Sequence, residues 1–217
     1  MSEFSIYDNT REFERLLSRY TGAPHVVAVD NCCNGIFLCL RYIKDKFPAF
    51  LKKITIPRHT YIGVPYAIRA AGFNPVEDPG SRMDGYLEGE YQLSPLPIWD
   101  SALRFTSGMY RPGQFQVLSF TGPYKHLKIQ KGGAIICDNE KAAAWLRRAR
   151  FSGRNECSYH EDTFEMPEGY NMYLPAMLGT LGVHLMQGVP EHNPDLRLPY
   201  PDWSVQPAFQ QINNAYR

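Results

Sequence analysis

Apolar positions along this chain recur at two spacings. Between Asn9 and Tyr20, the residues Phe13, Leu16, Leu17 and Tyr20 fall three and four apart, which puts them on one face of a helix. Asn9 followed by Glu12 has the spacing of a capping box, and Thr21-Gly22 ends the run. HVVAV (25–29) is a short continuous apolar run, the pattern of a buried strand. DNCCN breaks it, and Gly35 to Phe47 returns to helical spacing. Ile54 to Ile56 is a strand stopped by Pro57, and a helix carrying Ala67, Ile68, Ala70 and Ala71 closes at Gly72. Strand patterns recur at Asn74 to Val76, Leu96 to Asp100, Phe115 to Phe120 and Ala134 to Cys137. Asn139 to Arg150 is a helix with acid at its start and arginines at its end, which suits the helix dipole. Ser152 to Gly169 is polar and reads as a loop, and Tyr173 to Met186 as a buried helix.

The alternation of strand and helix predicts an α/β fold, a three-layer sandwich around a mostly parallel central sheet. Residues 1–187 form this domain. Residues 188–217, with Pro190, Pro194, Pro199, Pro201 and Pro207, read as a proline-rich extended tail. In such folds ligands sit at the carboxyl ends of the strands.

Composition narrows the picture. The 217 residues carry a formal net charge of +1, which argues against a strongly basic nucleic-acid binder. No apolar run is long enough to span a bilayer, and acids occupy the N-terminus where a signal peptide has basic residues, so a cytoplasmic protein is expected. The five cysteines, Cys32, Cys33, Cys39, Cys137 and Cys157, include no CxxC pair matched by a second, and the histidines are scattered; neither set has metal-ligand spacing.

Three strand ends hold candidate chemistry. At Asp30-Asn31-Cys32-Cys33 a strand meets a helix start, whose free N–H groups suit a phosphate. A plain helix cap by Asp30 or Asn31 explains the same residues. No P-loop pattern is present, which disfavours a nucleoside triphosphate. Asp100 ends LPIWD; it is either a turn residue or the partner of a cationic ring nitrogen. In VLSFTGPYKHLKIQKGG, Ser119, Lys125 and Gly132-Gly133 cluster, although a lysine in such a loop is commonly only solvated.

Taken in order, these segments resemble the DegT-type sugar aminotransferases, fold-type-I pyridoxal-phosphate enzymes, from about Phe13 to Met186. FERLLSRYTGAPHVVAVDNCCNGIFLCL is similar to the family's opening, IPRHTYIGVPYAIRAAGFNPVEDP to its next strand and helix, and IWDSALRF to its Asp-bearing strand. SFTGPYKHLKIQKGGAIICDNEKAAAWLRRARFSGR is similar to the lysine segment and the helix after it, and GYNMYLPAMLGTLGVHLM to a Gly-x-Asn segment and its helix. The resemblance implies a fold-type-I large domain with pyridoxal 5'-phosphate as cofactor. Lys125 would form the Schiff base and move the substrate proton. Asp100 would pair with the pyridinium N–H. Tyr61 would stack on the ring. Ser119 and the backbone at Cys32 and Cys33 would hold the phosphate, joined by Asn171 from a neighbouring subunit. That arrangement implies a homodimer with shared active sites.

The sequence departs from the family at several points. Cys32-Cys33 replaces Gly-Thr, and a thiol is a weaker donor than a hydroxyl. Leu103 stands where the family has Gln or His, and Tyr173 stands near a usual arginine. One extra residue before Lys125 leaves Lys128 and Lys131 as outside candidates. The chain is also shorter than family members, which continue into a small C-terminal domain. It reads either as a fragment or as a compact form similar to phage-encoded relatives, and so as a protein of a host cytoplasm.

The leading expectation is an aminotransferase that moves an amino group, from a donor such as glutamate, to a keto compound such as a nucleotide-linked keto-sugar. One alternative is a pyridoxal-phosphate decarboxylase or lyase acting on an amino-acid adduct of a large substrate, for example an extruded base in phage DNA hypermodification. Nucleic acid is a partner only under that alternative. A degenerate, non-catalytic binding protein is the third.

Overall fold

The computed structural model describes residues 7–44 and 52–213. Its first elements are α1 (Asp8–Thr21), β1 (His25–Val29), α2 (Cys32–Lys44), β2 (Lys53–Ile56), α3 (Gly63–Ala70) and β3 (Asn74–Glu77). Five short strands follow: β4 (Tyr86–Glu88), β5 (Tyr91–Gln92), β6 (Ile98–Asp100), β7 (Phe115–Ser119) and β8 (Gly133–Cys137). Then come α4 (Glu140–Arg150), α5 (Ala176–Met186), β9 (Arg197–Pro199) and α6 (Pro207–Asn213). The expected helix over Gly35 to Phe47 is α2; its last three positions lie outside the described residues. No described helix is long and apolar enough to cross a membrane.

The central sheet has the order β1-β8-β7-β6-β5. β2 and β3 pair in parallel beside it, linked to it by an antiparallel bridge between Thr55 and Ser94. By direction, β1, β2, β3, β6 and β7 run one way, and β5 and β8 the other. The sheet is therefore mixed. Most strands share a direction, yet β8 lies between β1 and β7 and pairs with both in antiparallel fashion. Pro75 in β3 is tolerated because β3 pairs with β2 alone, so the missing N–H falls on an edge.

Strand periodicity builds the layers. Val27 and Val29 of β1, Val117 of β7 and Ile135 of β8 face a core formed with α2, α3 and α4. Val26, Ala28, Leu118, Ala134 and Ile136 face the opposite core, with Phe13 and Leu17 of α1 and the inner side of α5. Two helical layers thus enclose the sheet, as the alternation predicted.

Three local expectations change. α1 begins at Asp8, so Asn9 lies inside its first turn and donates to Thr180 Oγ1 (2.7 Å). Glu12 pairs with Arg15 (2.6 Å) instead of reaching back as a capping box. α5 is half-buried, not buried: Gly179 and Gly182 are its buried residues, and Met177 on the outer face is 79% exposed. A Cβ on Gly182 would lie 2.7 Å from the Phe13 ring, so a residue without a side chain is what lets α5 lie against α1. The stretch after Gly188 is not a free extension. β9 pairs with β4, Trp203 and Phe209 are buried in the main core, and the Trp203 indole donates to the Pro57 carbonyl (2.9 Å).

The open edge of β1 is closed by side chains. Glu14 accepts from the Ala28 N–H (2.9 Å), Arg147 donates to the Val26 carbonyl (3.0 Å), and Arg150 donates to the Ala28 carbonyl. Arg150, only 1% exposed, also pairs with Glu14 (2.6 Å) and Glu156 (2.8 Å). These groups satisfy edge polar atoms that would otherwise template further strand pairing.

Candidate active site

The carboxyl ends of β1, β6 and β7 converge with the start of β8. Register brings them together: Val29 lies opposite Gly133, Gly133 opposite Ser119, and Asp100 opposite both Val117 and Tyr91. A cavity of about 710 Å³ opens there, within the usual range for a small-molecule site. Its wall brings together Cys32, Cys33, Tyr61, Asp100, Ser119 and Lys125. Six of the seven residues singled out from sequence therefore share one cavity. The seventh, Asn171, is exposed and bridged to Phe151, and does not line the cavity of its own chain.

The turn after β1 caps α2 and leaves room for an anion beside it. Asn31 Oδ1 accepts from the Asn34 N–H (2.9 Å), and Asp30 accepts from the Asn34 side chain (2.8 Å), so Asn31 caps α2. Among the described residues no group takes the N–H of Cys32 or Cys33, the first two of α2. Their N–H groups are thus left for an anion at the positive end of the helix. Gly133 makes this cradle possible, since a Cβ there would come within 2.9 Å of the Cys32 nitrogen and 2.7 Å of the Leu118 carbonyl. The thiols add no charge. Burial first, then the nearby Asp100 carboxylate, pushes Cys33 up to about 12 and Cys32 well above the ordinary thiol range.

Asp100 is 3% exposed and fully held. Tyr91 donates to its Oδ2 (2.8 Å), and the Ala102 N–H donates to its Oδ1 (3.0 Å). Cys32 Sγ lies 3.6 Å from Oδ1. The Tyr91 hydroxyl is in turn 2.7 Å from Thr60 Oγ1. Burial raises the Asp100 pKa, while the Tyr91 bond, the Ala102 N–H and Lys125 oppose the rise. Lys125 is 4% exposed and its Nζ donates to the Ala102 carbonyl. Burial lowers its pKa, against the pull of Cys32 and Asp100, so the neutral amine forms at lower pH than in an ordinary lysine. Of the two outside candidates, Lys128 does not line the cavity, and Lys131 lines it with a side chain 64% exposed, 3.9 Å from Asp30.

Sequence reading missed further wall and support residues, five of them polar. Thr121 and Gln130 line the cavity beside Ser119, and Gln130 holds a left-handed φ of 70°, a strained conformation of the kind that clusters at functional sites. The Tyr124 ring lies 5.3 Å from Lys125 Nζ, Tyr200 lines the same cavity, and Tyr91 donates to Asp100. Only the direct pairing of Tyr91 with Asp100 across β5 and β6 reveals its role, and β5 is too short to stand out as a strand pattern.

Residues 2–77 match the DegT/DnrJ/EryC1/StrS aminotransferase family. No curated protein sequence matches the chain. Solved structures share its fold. AtS13 from Actinomadura melliaura superposes with a TM-score of 0.69 at 18% identity, over 83% of this chain and 60% of its own length. PseC of Helicobacter pylori, an aminotransferase involved in the biosynthesis of pseudoaminic acid, gives 0.67 at 16% identity, over 84% and 58%. DesV of S. venezuelae gives 0.62 at 20% identity, over 83% and 57%. The chain thus spans about 60% of the length of the first of these relatives. Aminotransferases of the matched family use pyridoxal phosphate, and a Streptococcus pneumoniae protein of the same fold is solved in both PLP and PMP forms.

Proposed function

We propose that this chain is a pyridoxal-phosphate-dependent aminotransferase that takes an amino group from glutamate and delivers it to a keto compound such as a nucleotide-linked keto-sugar. The observation that carries the reading is the placement of a buried lysine, Lys125, and a buried carboxylate, Asp100, in one cavity beneath the open N-terminus of α2. The residues fit the cofactor: Cys32 and Cys33 offer unpaired N–H groups for its phosphate, and Asp100 is an acceptor already locked in place. Bound pyridoxal phosphate supplies an electron sink for the Cα of the amino substrate.

The chain's own residues supply the rest. Lys125 Nζ, neutral more readily than usual, is the nucleophile that holds the cofactor and then carries the proton from Cα. With the cofactor bound, Asp100 would hold a proton on its ring nitrogen, Tyr61 would cover its ring, and Ser119 would add a hydroxyl to the phosphate cradle; all three line this cavity. One feature supports a homodimer with shared sites: the exposed position of Asn171, outside the cavity of its own chain.

L-Glutamate added to protein loaded with pyridoxal phosphate is expected to convert the cofactor to its pyridoxamine form and release 2-oxoglutarate. Release of carbon dioxide from an amino-acid adduct, with no 2-oxoglutarate, would move the chain to the decarboxylase alternative. Cofactor retention is also expected to depend on pH. Asp100 has a raised pKa, so its carboxylate is lost as pH falls through that raised value, at higher pH than for an ordinary aspartate. Tyr91→Phe removes a bond that favours the carboxylate, so the loss should move to still higher pH. A hydrogen bond to a charged group is worth about 1.5–3 kcal/mol, so retention should weaken roughly tenfold or more. Equilibrium dialysis against pyridoxal phosphate across pH checks both, and an unchanged Tyr91→Phe profile would remove Tyr91 from the account.

A further inference from the structure

The segment that carries Tyr200 is anchored on both sides of that residue. Before it, β9 pairs with β4, and the Tyr200 N–H donates to the Gly85 carbonyl (3.0 Å). After it, Asp202 lies 3.6 Å from Arg58, and Trp203 is buried with its indole bonded to Pro57. At Tyr200 itself, His59 Nδ1 lies 2.9 Å from the backbone carbonyl. The side chain is left to line the Lys125 cavity, half-buried, with its ring 6.4 Å from that of Tyr61. Burial and the neighbouring Tyr124, Asp100 and Cys32 raise its pKa, so the phenol is neutral at working pH. The sheet architecture does not need this residue at this place, since the core contacts of the segment come from Trp203 and Phe209.

We propose that Tyr200 is a specificity-determining residue: its anchored segment is a fixed wall of the cavity, and its ring limits the size of the compound that reaches Lys125. Its role toward a substrate rests on the proposed function, whereas the wall can be tested without cofactor. Ligand-free protein is treated with a small acylating reagent, the acetyl ester of N-hydroxysuccinimide, and separately with the bulky biotin ester. Labelling of Lys125 is read by peptide mass spectrometry, with Lys128, outside the cavity lining, as the reference.

Tyr200→Ala is expected to raise the bulky-to-small labelling ratio at Lys125 about tenfold, the discrimination typical of a pocket short of room for a few carbon atoms. Tyr200→Leu should fall between, and Tyr200→Phe should match the wild type. A ratio unchanged in Tyr200→Ala overturns the proposal. So does an equal rise in all three variants, which would mean that the segment had merely come loose. Visible absorbance after addition of pyridoxal phosphate to unlabelled aliquots of the same proteins separates the two readings. Graded labelling without a band sinks the cofactor and keeps the wall, whereas a band with flat labelling does the reverse.

Discussion

Lys125→Ala is expected to fold, to bind pyridoxal phosphate only reversibly, and to lose turnover by a factor of about 10²–10⁴ or more, the range for removing a positioned proton-transfer group. The visible band of covalently held cofactor should vanish with it. Stability should not suffer. Burial lowers the Lys125 pKa, so between that lowered value and 10.5 the unfolded chain binds more protons than the native one. Stability from this group therefore rises with pH through that window, and below it the buried ammonium is a net cost. Removing it should leave the melting temperature at neutral pH equal to the wild type's or higher, as expected where function is built on a locally unfavourable group. A clear fall in melting temperature would mean that the bond from Nζ to the Ala102 carbonyl outweighs the cost of burial.

Arg150→Met has the largest expected effect on folding. The guanidinium is 1% exposed and meets Glu14, Glu156 and the Ala28 carbonyl. Methionine fills similar volume but takes the close, buried partner from Glu14, leaving it the Ala28 N–H and the half-exposed Arg147 at 3.7 Å, a loss of about 3–5 kcal/mol. For a chain of this size that corresponds to a fall in Tm of roughly 6–20 °C. The double variant Arg150→Met with Glu14→Met should recover part of the loss, because it removes the orphaned charge together with its partner. Thermal unfolding followed by circular dichroism measures both. Equal stability of the single variant and the wild type would mean that the β1 edge does not depend on this cluster.

Helices and buried strands were legible in the sequence because each repeats its spacing over several residues. α4 with its Asn139 cap, β1, β7 and β8 fall where periodicity puts them. Short or composition-masked elements were not. β5 has two residues, and proline content hid a segment after Gly188 whose anchors, Trp203 and Phe209, are single aromatic residues without periodicity. α5 looked buried because it is mostly apolar; its glycines let it lie close against α1, while Met177, Thr180 and His184 stay exposed. At the site, residues at the ends of recognisable strands were found: Asp100, Ser119 and the turn at Cys32. Those that arrive through register or chain return, Tyr91 and Tyr200, carry no local signal.

Reduction with borohydride after addition of pyridoxal phosphate, followed by peptide mapping, tests the central claim most directly. The reduced phosphopyridoxyl group should be found on Lys125 at close to one per chain. A group found on the exposed Lys128 or Lys131, or spread over surface lysines, would contradict the assignment of Lys125 and Asp100 as the reactive pair of this cavity.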